Sequence, residues 1–295
     1  MPKTEYTLTA SGNVGTVNAA PINVTSLNGT RQYDGTSIVN ASIFNILGLV
    51  GGETLTLTGA GTIPDKNVGV NKPVTLGSLA LGNGSGLASN YTLAGGTHVA
   101  TITPRTSSTW AGGSGLWSDA TKWDGGTAVP DGSNVLNVII PAGSFVNYTY
   151  PSTNPTTLQR IKSSGTLSMA SGQLTVNDTL STSVLVQNGG VINGAGKLVV
   201  DTGISKNSGA IDMDGLVSIT QSLGNLNIGG VQGSNILLAV PNGSISQNGP
   251  LVTAGTLAAH SAQSMQLVNS SNSVQGLLLA SDNGNVDVVN TGVLN

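Results

Sequence analysis

Cysteine is absent from the 295 residues, which excludes disulfides and thiolate metal sites. That absence suits a chain in which cysteine is merely rare, and equally one exported through an envelope where free thiols would mispair. Charge is nearly as scarce: Asp, Glu, Lys and Arg make up 8% of the chain, against about 25% in ordinary soluble domains. With a net charge of -3 and no basic run, electrostatic capture of nucleic acid or of an acidic membrane surface is not expected. No apolar run approaches the roughly 20 residues that span a bilayer, so direct membrane insertion is not expected, and no signal peptide follows Met1. Helix formers never run long, because glycine and β-branched residues interrupt them.

What the chain does have is glycine followed by apolar residues at every second position. Gly165 leads into Leu167 and Met169, Gly172 into Leu174 and Val176, and Gly196 into Leu198 and Val200. Gly209, Gly215, Gly224 and Gly284 open further units with Ile211 and Met213, Val217 and Ile219, Leu226 and Ile228, and Val286 and Val288. Each unit reads as a turn and a short strand with one buried face, because strand side chains alternate sides. A lone strand of this kind cannot bury its apolar face, and stacked coils of roughly 20 residues would. The pattern predicts an all-β chain whose second half is a right-handed parallel β-helix. An antiparallel sandwich is the competing all-β reading, but Asn-Gly and Ser-Gly turns recur without hairpin symmetry. From Thr256 to Val268 the alanines also suit a short helix; strand and turn is the reading retained.

The first hundred residues carry a different repeat. Glu5-Tyr6-Thr7-Leu8 matches Asn90-Tyr91-Thr92-Leu93, with Tyr6 and Tyr91 standing 85 positions apart. The expected division is a module tail at 1–20, one complete β module at 21–105, a Trp/Gly-rich connector and cap at 106–156, and the β-helix at 157–295. Because the chain opens inside a repeat and closes within a strand-like pattern, it reads as a piece of a longer protein. Alternation in Glu53–Thr58 and around Val74–Leu81 predicts an antiparallel sandwich or a β-grasp-like module.

Tyr33-Asp34-Gly35-Thr36, Leu49-Val50-Gly51-Gly52-Glu53, Asp65-Lys66-Asn67-Val68-Gly69, Asn90-Tyr91-Thr92-Leu93 and Ala100-Thr101-Ile102-Thr103-Pro104 together resemble the YDG repeat of large bacterial surface adhesins. The resemblance implies tandem extracellular modules with a stalk or spacer role and no catalytic residues. In physical terms Asp34-Gly35 is a turn dipeptide, Tyr33 and Tyr91 are core aromatics with a polar tip, and Asp65 to Gly69 is a solvated loop.

All three tryptophans, Trp110, Trp117 and Trp123, lie within 14 residues. Their segment resembles the tryptophan-glycine motif ahead of β-helical passengers in autotransporters and filamentous haemagglutinin-like proteins. The indoles suit either a sugar-stacking platform or a plug for the open end of a solenoid. Ala254–Ala259, Val274–Ala280 and Asp282–Val286 resemble the degenerate repeats of filamentous haemagglutinin-like adhesins. That family implies two-partner secretion: an outer-membrane partner acts on the full-length protein, which ends secreted or at the cell surface. The partners implied are an extracellular polysaccharide or a host glycan.

Chemistry is thin. Two histidines, His98 and His260, read as surface residues, and without cysteine they make no zinc site. No glycine-rich loop carries a lysine at phosphate-loop spacing, so no cofactor is expected. The enzymatic alternative is a polysaccharide-degrading β-helix using Asp212 and Asp214, two apart on one strand, with Asp201 approaching from the coil beneath. Ile211 and Met213 must then point inward, which leaves both aspartates on the solvated face. Such a pair can also bind a cation such as calcium weakly, although no calcium-loop motif supports it. Asn-x-Ser/Thr triplets arise by chance in so Asn-rich a chain, and glycosylation is left open.

Overall fold

The computed structural model describes residues 21–124, 126, 128–150 and 155–295. The expected module tail at 1–20 lies outside the described residues, as does most of the loop expected at 151–155. The described chain is all-β, with three short 3-10 turns and no α-helix. It forms two compact units. One takes the described residues up to Thr30 with Ser37–Pro64 and Asn71–Thr101; the other takes Arg31–Thr36, Asp65–Val70 and Ile102–Asn295.

The first unit is built of small sheets. Ser26–Gln32 pairs antiparallel with Phe44–Leu47, Ile38–Asn40 with Ala60–Thr62, and Leu55–Thr58 with Ala80–Asn83. A two-residue parallel pairing joins Ile22–Asn23 to Tyr91–Thr92. The strands are short and Gly51, Gly52 and Gly95 turn the chain with positive φ, so one small core suffices: Val24, Leu27, Leu79, Tyr91 and Leu93. Tyr91 keeps its polar tip satisfied, donating its hydroxyl proton to Glu53 Oε2 at 2.6 Å and accepting from the Val50 amide at 3.1 Å. Sharing with the Glu53 carboxylate raises the Tyr91 pKa. The Asp34-Gly35 turn, in the segment Arg31–Thr36 that belongs to the second unit, is likewise formed: Asp34 Oδ1 accepts from the Thr36 amide at 2.9 Å, with Gly35 at φ 80°.

The second unit is a parallel β-solenoid. Its strands stack in register, so that one core position recurs down the ladder as Ser108, Val138, Ile161, Leu180, Leu198, Val217, Ile236, Leu257 and Leu277. From Ile161 onward its members are 18 to 21 residues apart in the chain, the coil length that the alternation called for. Each coil has three faces, here termed A, B and C. Face A carries the column just named. Face B carries Val146, Leu167, Leu185 and Ile204, continued in later coils by Leu226, Ile245, Met265 and Val286. Face C carries Ile192, Ile211, Val231 and Leu251. One strand, Gln173–Gly194, runs through all three.

Alternation makes these columns dry. Leu180, Leu185, Ile192, Leu198, Val217, Leu226, Ile228, Ile236 and Leu238 have no exposed surface, and Ile211 and Met213 have 1% each. The segment 106–156, set apart in the sequence reading as a connector and cap, is continuous with this ladder: Arg105 pairs with Val135 and Asn137 with Arg160. Thr256 to Val268 is strand and turn, as read, with strands at Leu251–Ser261 and Met265–Leu267.

The corner between faces B and C is a stack of glycines with positive φ, at 84° for Gly172, 70° for Gly190, 86° for Gly209 and 64° for Gly230. A Cβ on Gly209 would stand 2.6 Å from the Gly190 carbonyl oxygen, whereas one on Gly224, at φ 73°, would meet nothing within 4 Å. Gly209→Ala therefore combines backbone strain with a collision and should destabilise the solenoid by about 3 kcal/mol, while Gly224→Ala should cost about 1 kcal/mol from strain alone. Thermal unfolding followed by circular dichroism checks the order; equal shifts for the two variants would contradict it.

Candidate functional site

The tryptophans fill the first rung of the solenoid. Among the described residues Arg105–Thr109 pairs only with Val135–Ile140, and Ser114–Leu116 only with Phe145–Tyr148, so these strands end the described ladder on that side. Between them Trp110, Trp117 and Trp123 are exposed by 1% or less. Trp123 packs edge-on against Trp110 at 5.0 Å and against Trp117 at 4.8 Å, and Trp117 packs edge-on against Tyr148 at 5.4 Å. Each indole N–H is bonded internally: Trp110 to the Gly113 carbonyl, Trp117 to that of Pro130, and Trp123 to that of Trp117. The turn between Trp117 and Trp123 is pinned by Asp119, whose carboxylate accepts from the Thr121 hydroxyl and amide and is held below the usual range by them. Stacking a sugar needs a ring face open to water. These three rings present none, and occupy the place that a coil's apolar residues would otherwise leave unfilled.

Asp212 and Asp214 are exposed at face C, while Ile211 and Met213, the residue before each, are turned inward. Asp201 does not approach them from the coil beneath. All three aspartates belong to one strand, Lys197–Met213, and the residue that follows it. Asp201 lies at the end of face A, beyond the Val200 rung, where the Ser181 hydroxyl is 3.5 Å away. The coil neighbours of Asp212 are Asn193 below and Gln232 above. The expected juxtaposition fails because the chain turns two corners between positions 201 and 212, onto face B and then onto face C. Among the described residues no three His, Asp or Glu side chains come together in a cluster able to hold a metal ion.

What the coils do bring together is a row of polar side chains on the outside of face C. Thr157 stands beside Thr175, the Thr175 hydroxyl bonds Asn193 Oδ1 at 2.7 Å, and Asn193, Asp212 and Gln232 follow in register. Beside it a shallow depression of about 220 Å³ is lined by Ala210, Gly230, Pro250 and Val252, with Asp212 and Gln232 on its rim. A second outward pair, Asn207 Nδ2 to Asn188 Oδ1 at 2.7 Å, repeats the arrangement at another corner. One residue per coil places successive donors and acceptors about 4.8 Å apart.

Three buried polar groups escaped the sequence reading. His98, expected at the surface, is 8% exposed: its Nδ1 accepts from the Leu27 amide at 3.0 Å and its Nε2 lies 2.8 Å from the Leu93 carbonyl oxygen. Two backbone partners satisfy the ring nitrogens of this buried imidazole, which alternation alone does not reveal. His260 is exposed as expected and pairs with Asp282 at 3.0 Å. Gln187 and Lys206 stand on consecutive rungs of the inward column that begins with Tyr148 and Met169. Gln187 is fully buried, with its Oε1 unpartnered. Lys206 is 6% exposed, its Nζ donates to the Gly209 carbonyl at 2.7 Å, and burial lowers its pKa.

Residues 17–103 match the YDG domain. Neither a curated protein nor a solved structure matches the chain. Through that match the first hundred residues carry a domain assignment; the solenoid stands on its own geometry.

The unfolded chain restores the ordinary Lys206 pKa near 10.5, so below that value the unfolded state holds the proton more tightly. The buried charge therefore opposes folding at neutral pH, and its penalty fades as pH rises through the lowered folded value towards 10.5. Lys206→Met should stabilise the protein by on the order of 1 kcal/mol at pH 7, with the gain over the parent shrinking towards pH 10. Urea unfolding at both pH values measures it; a gain that grows with pH would contradict the sign.

Proposed function

We propose that this chain is a segment of a large secreted or cell-surface bacterial adhesin, acting as a stalk that makes weak, multivalent contacts with glycans of a biofilm matrix or host surface. The observation that carries this reading is the outward row of Thr175, Asn193, Asp212 and Gln232, which offers hydrogen-bonding groups at a fixed spacing along a stacked ladder. Single contacts of this kind are worth about 1 kcal/mol each, and repetition along a long chain converts weak contacts into retention. The YDG domain at 17–103 supports the same placement, since the sequence resemblance implies tandem extracellular modules. By that resemblance an outer-membrane secretion partner handles the full-length protein.

With Asp201 carried away by the chain, the enzymatic reading keeps only Asp212 and Asp214, both exposed on one side at the end of the same strand. A glycosidase needs its two carboxyl groups on either side of one bond, and binding is the reading this favours. The test is retention of the chain on immobilised bacterial exopolysaccharide. Asn193→Ala and Asp212→Ala should each weaken retention by about threefold, and a tandem fusion of two copies should strengthen it by about a hundredfold. Retention unchanged in both variants would move the binding face elsewhere. Shortening of the polysaccharide that disappears in Asp212→Ala would replace the adhesin reading with an enzyme.

A further inference from the structure

The ladder of face B is cut once. Gly203, Ile204, Ser205 and Lys206 pair on one side with Val184, Leu185, Val186 and Gln187. On their other side no strand joins them among the described residues: the next strand on that face, Leu226–Ile228, belongs to a separate sheet and pairs onward with Ile245–Gln247. Faces A and C continue through the same level without a break, from Leu198 to Val217 and from Ile211 to Val231.

The cause is a change in corner length. Between faces A and B the chain runs from Val200 to Ile204 in the coil before the cut, from Ile219 to Leu226 in the coil after it, and from Leu238 to Ile245 in the next. The later corners are longer by three residues, so their face-B strands no longer sit in register with the earlier ones. The extra length emerges as a turn at 221–225 whose Leu223 is 78% exposed.

One backbone bond remains at the edge of the cut, from the Ser222 amide to the Thr202 carbonyl at 2.8 Å; beyond it side chains stand in for the missing strand. Gln221 Oε1 accepts from the Ile204 amide at 2.8 Å, and Asn248, from two coils on, donates to the Lys206 carbonyl at 3.1 Å. Polar side chains also enter the lining at this level. Ile204 is 8% exposed where Leu185, one rung below, has no exposed surface, and Lys206 lies beneath the cut with the unpartnered Gln187 Oε1 on the rung below.

We propose that this cut is a built-in opening seam: the solenoid consists of two cooperative stacks, one ending at Lys206 and one beginning with the Val217 coil, hinged through faces A and C and parting first on face B. A ladder closed by two side chains holds its amides less firmly than one closed by a strand, and a buried cation with one acceptor draws water towards it. Neighbouring coils are coupled only to one another, so a weak interface stays a local boundary.

Hydrogen exchange of the full chain tests this by mass spectrometry. Amides at 203–206 should exchange at least tenfold faster than the equivalent face-B amides at 185–187 and 245–247. Gln221→Ala, which removes a bridging group without touching the core columns, should quicken exchange at 203–206 by a further severalfold and leave 185–187 unchanged. Lys206→Met should slow it. Exchange at 203–206 as slow as at 185–187, or equal acceleration of both segments by Gln221→Ala, would show a single cooperative column and overturn the proposal.

Discussion

In-register stacking of alternating strands is the constraint on which the solenoid rests. Each rung places an apolar side chain on the one before, about 4.8 Å away, and turns the next residue outward. A slip of one residue would turn every side chain over, so irregularity is tolerated only at corners. That is where the glycines gather: Gly190 and Gly209 stand where the backbones of adjacent coils meet too closely for a Cβ. It is also where the register shifts fall, at Thr182/Val184 and at Gln187/Asn188.

The same constraint makes interior polar groups informative. A column that is dry by construction leaves each buried donor or acceptor to find a partner within its own coil or the next. At one end Asn272 succeeds, bonding the Leu267 and Val289 carbonyls and the Leu251 amide. Gln187 and Lys206 succeed only in part, and they lie beside the level at which face B changes from one corner length to another. Ser144, Asn147 and Ser163 also hold an unpartnered buried atom in the first coils, but among the described residues only beside Lys206 does imperfect satisfaction coincide with a broken ladder.

With the interior given to packing, the outer faces are left for recognition. The tryptophans, the residues best suited to holding a sugar, fill the end of the core instead, and the outward groups are small polar side chains in rows. Such rows recognise weakly and by repetition. A binding mode of that kind suits a long repetitive chain better than a single pocket would, because each added coil extends the row without new geometry.

Much of this was legible in the sequence. The glycine-led alternation from Gly165 to Gly284 specified strands, their buried faces and a coil of roughly 20 residues, and the motifs from Tyr33 to Pro104 located the YDG domain now matched at 17–103. The turn at Asp34-Gly35, the buried Tyr33 and Tyr91 and the inward Ile211 and Met213 followed from local chemistry alone. Which face each strand occupies did not follow. Period-two alternation records in and out, but not where a corner falls, so Asp201 could not be separated from Asp212 nor Lys206 placed beneath a cut. Corner lengths are settled by how each coil seats on its neighbour, a contact between residues about 20 positions apart in the chain, and only the folded stack decides it.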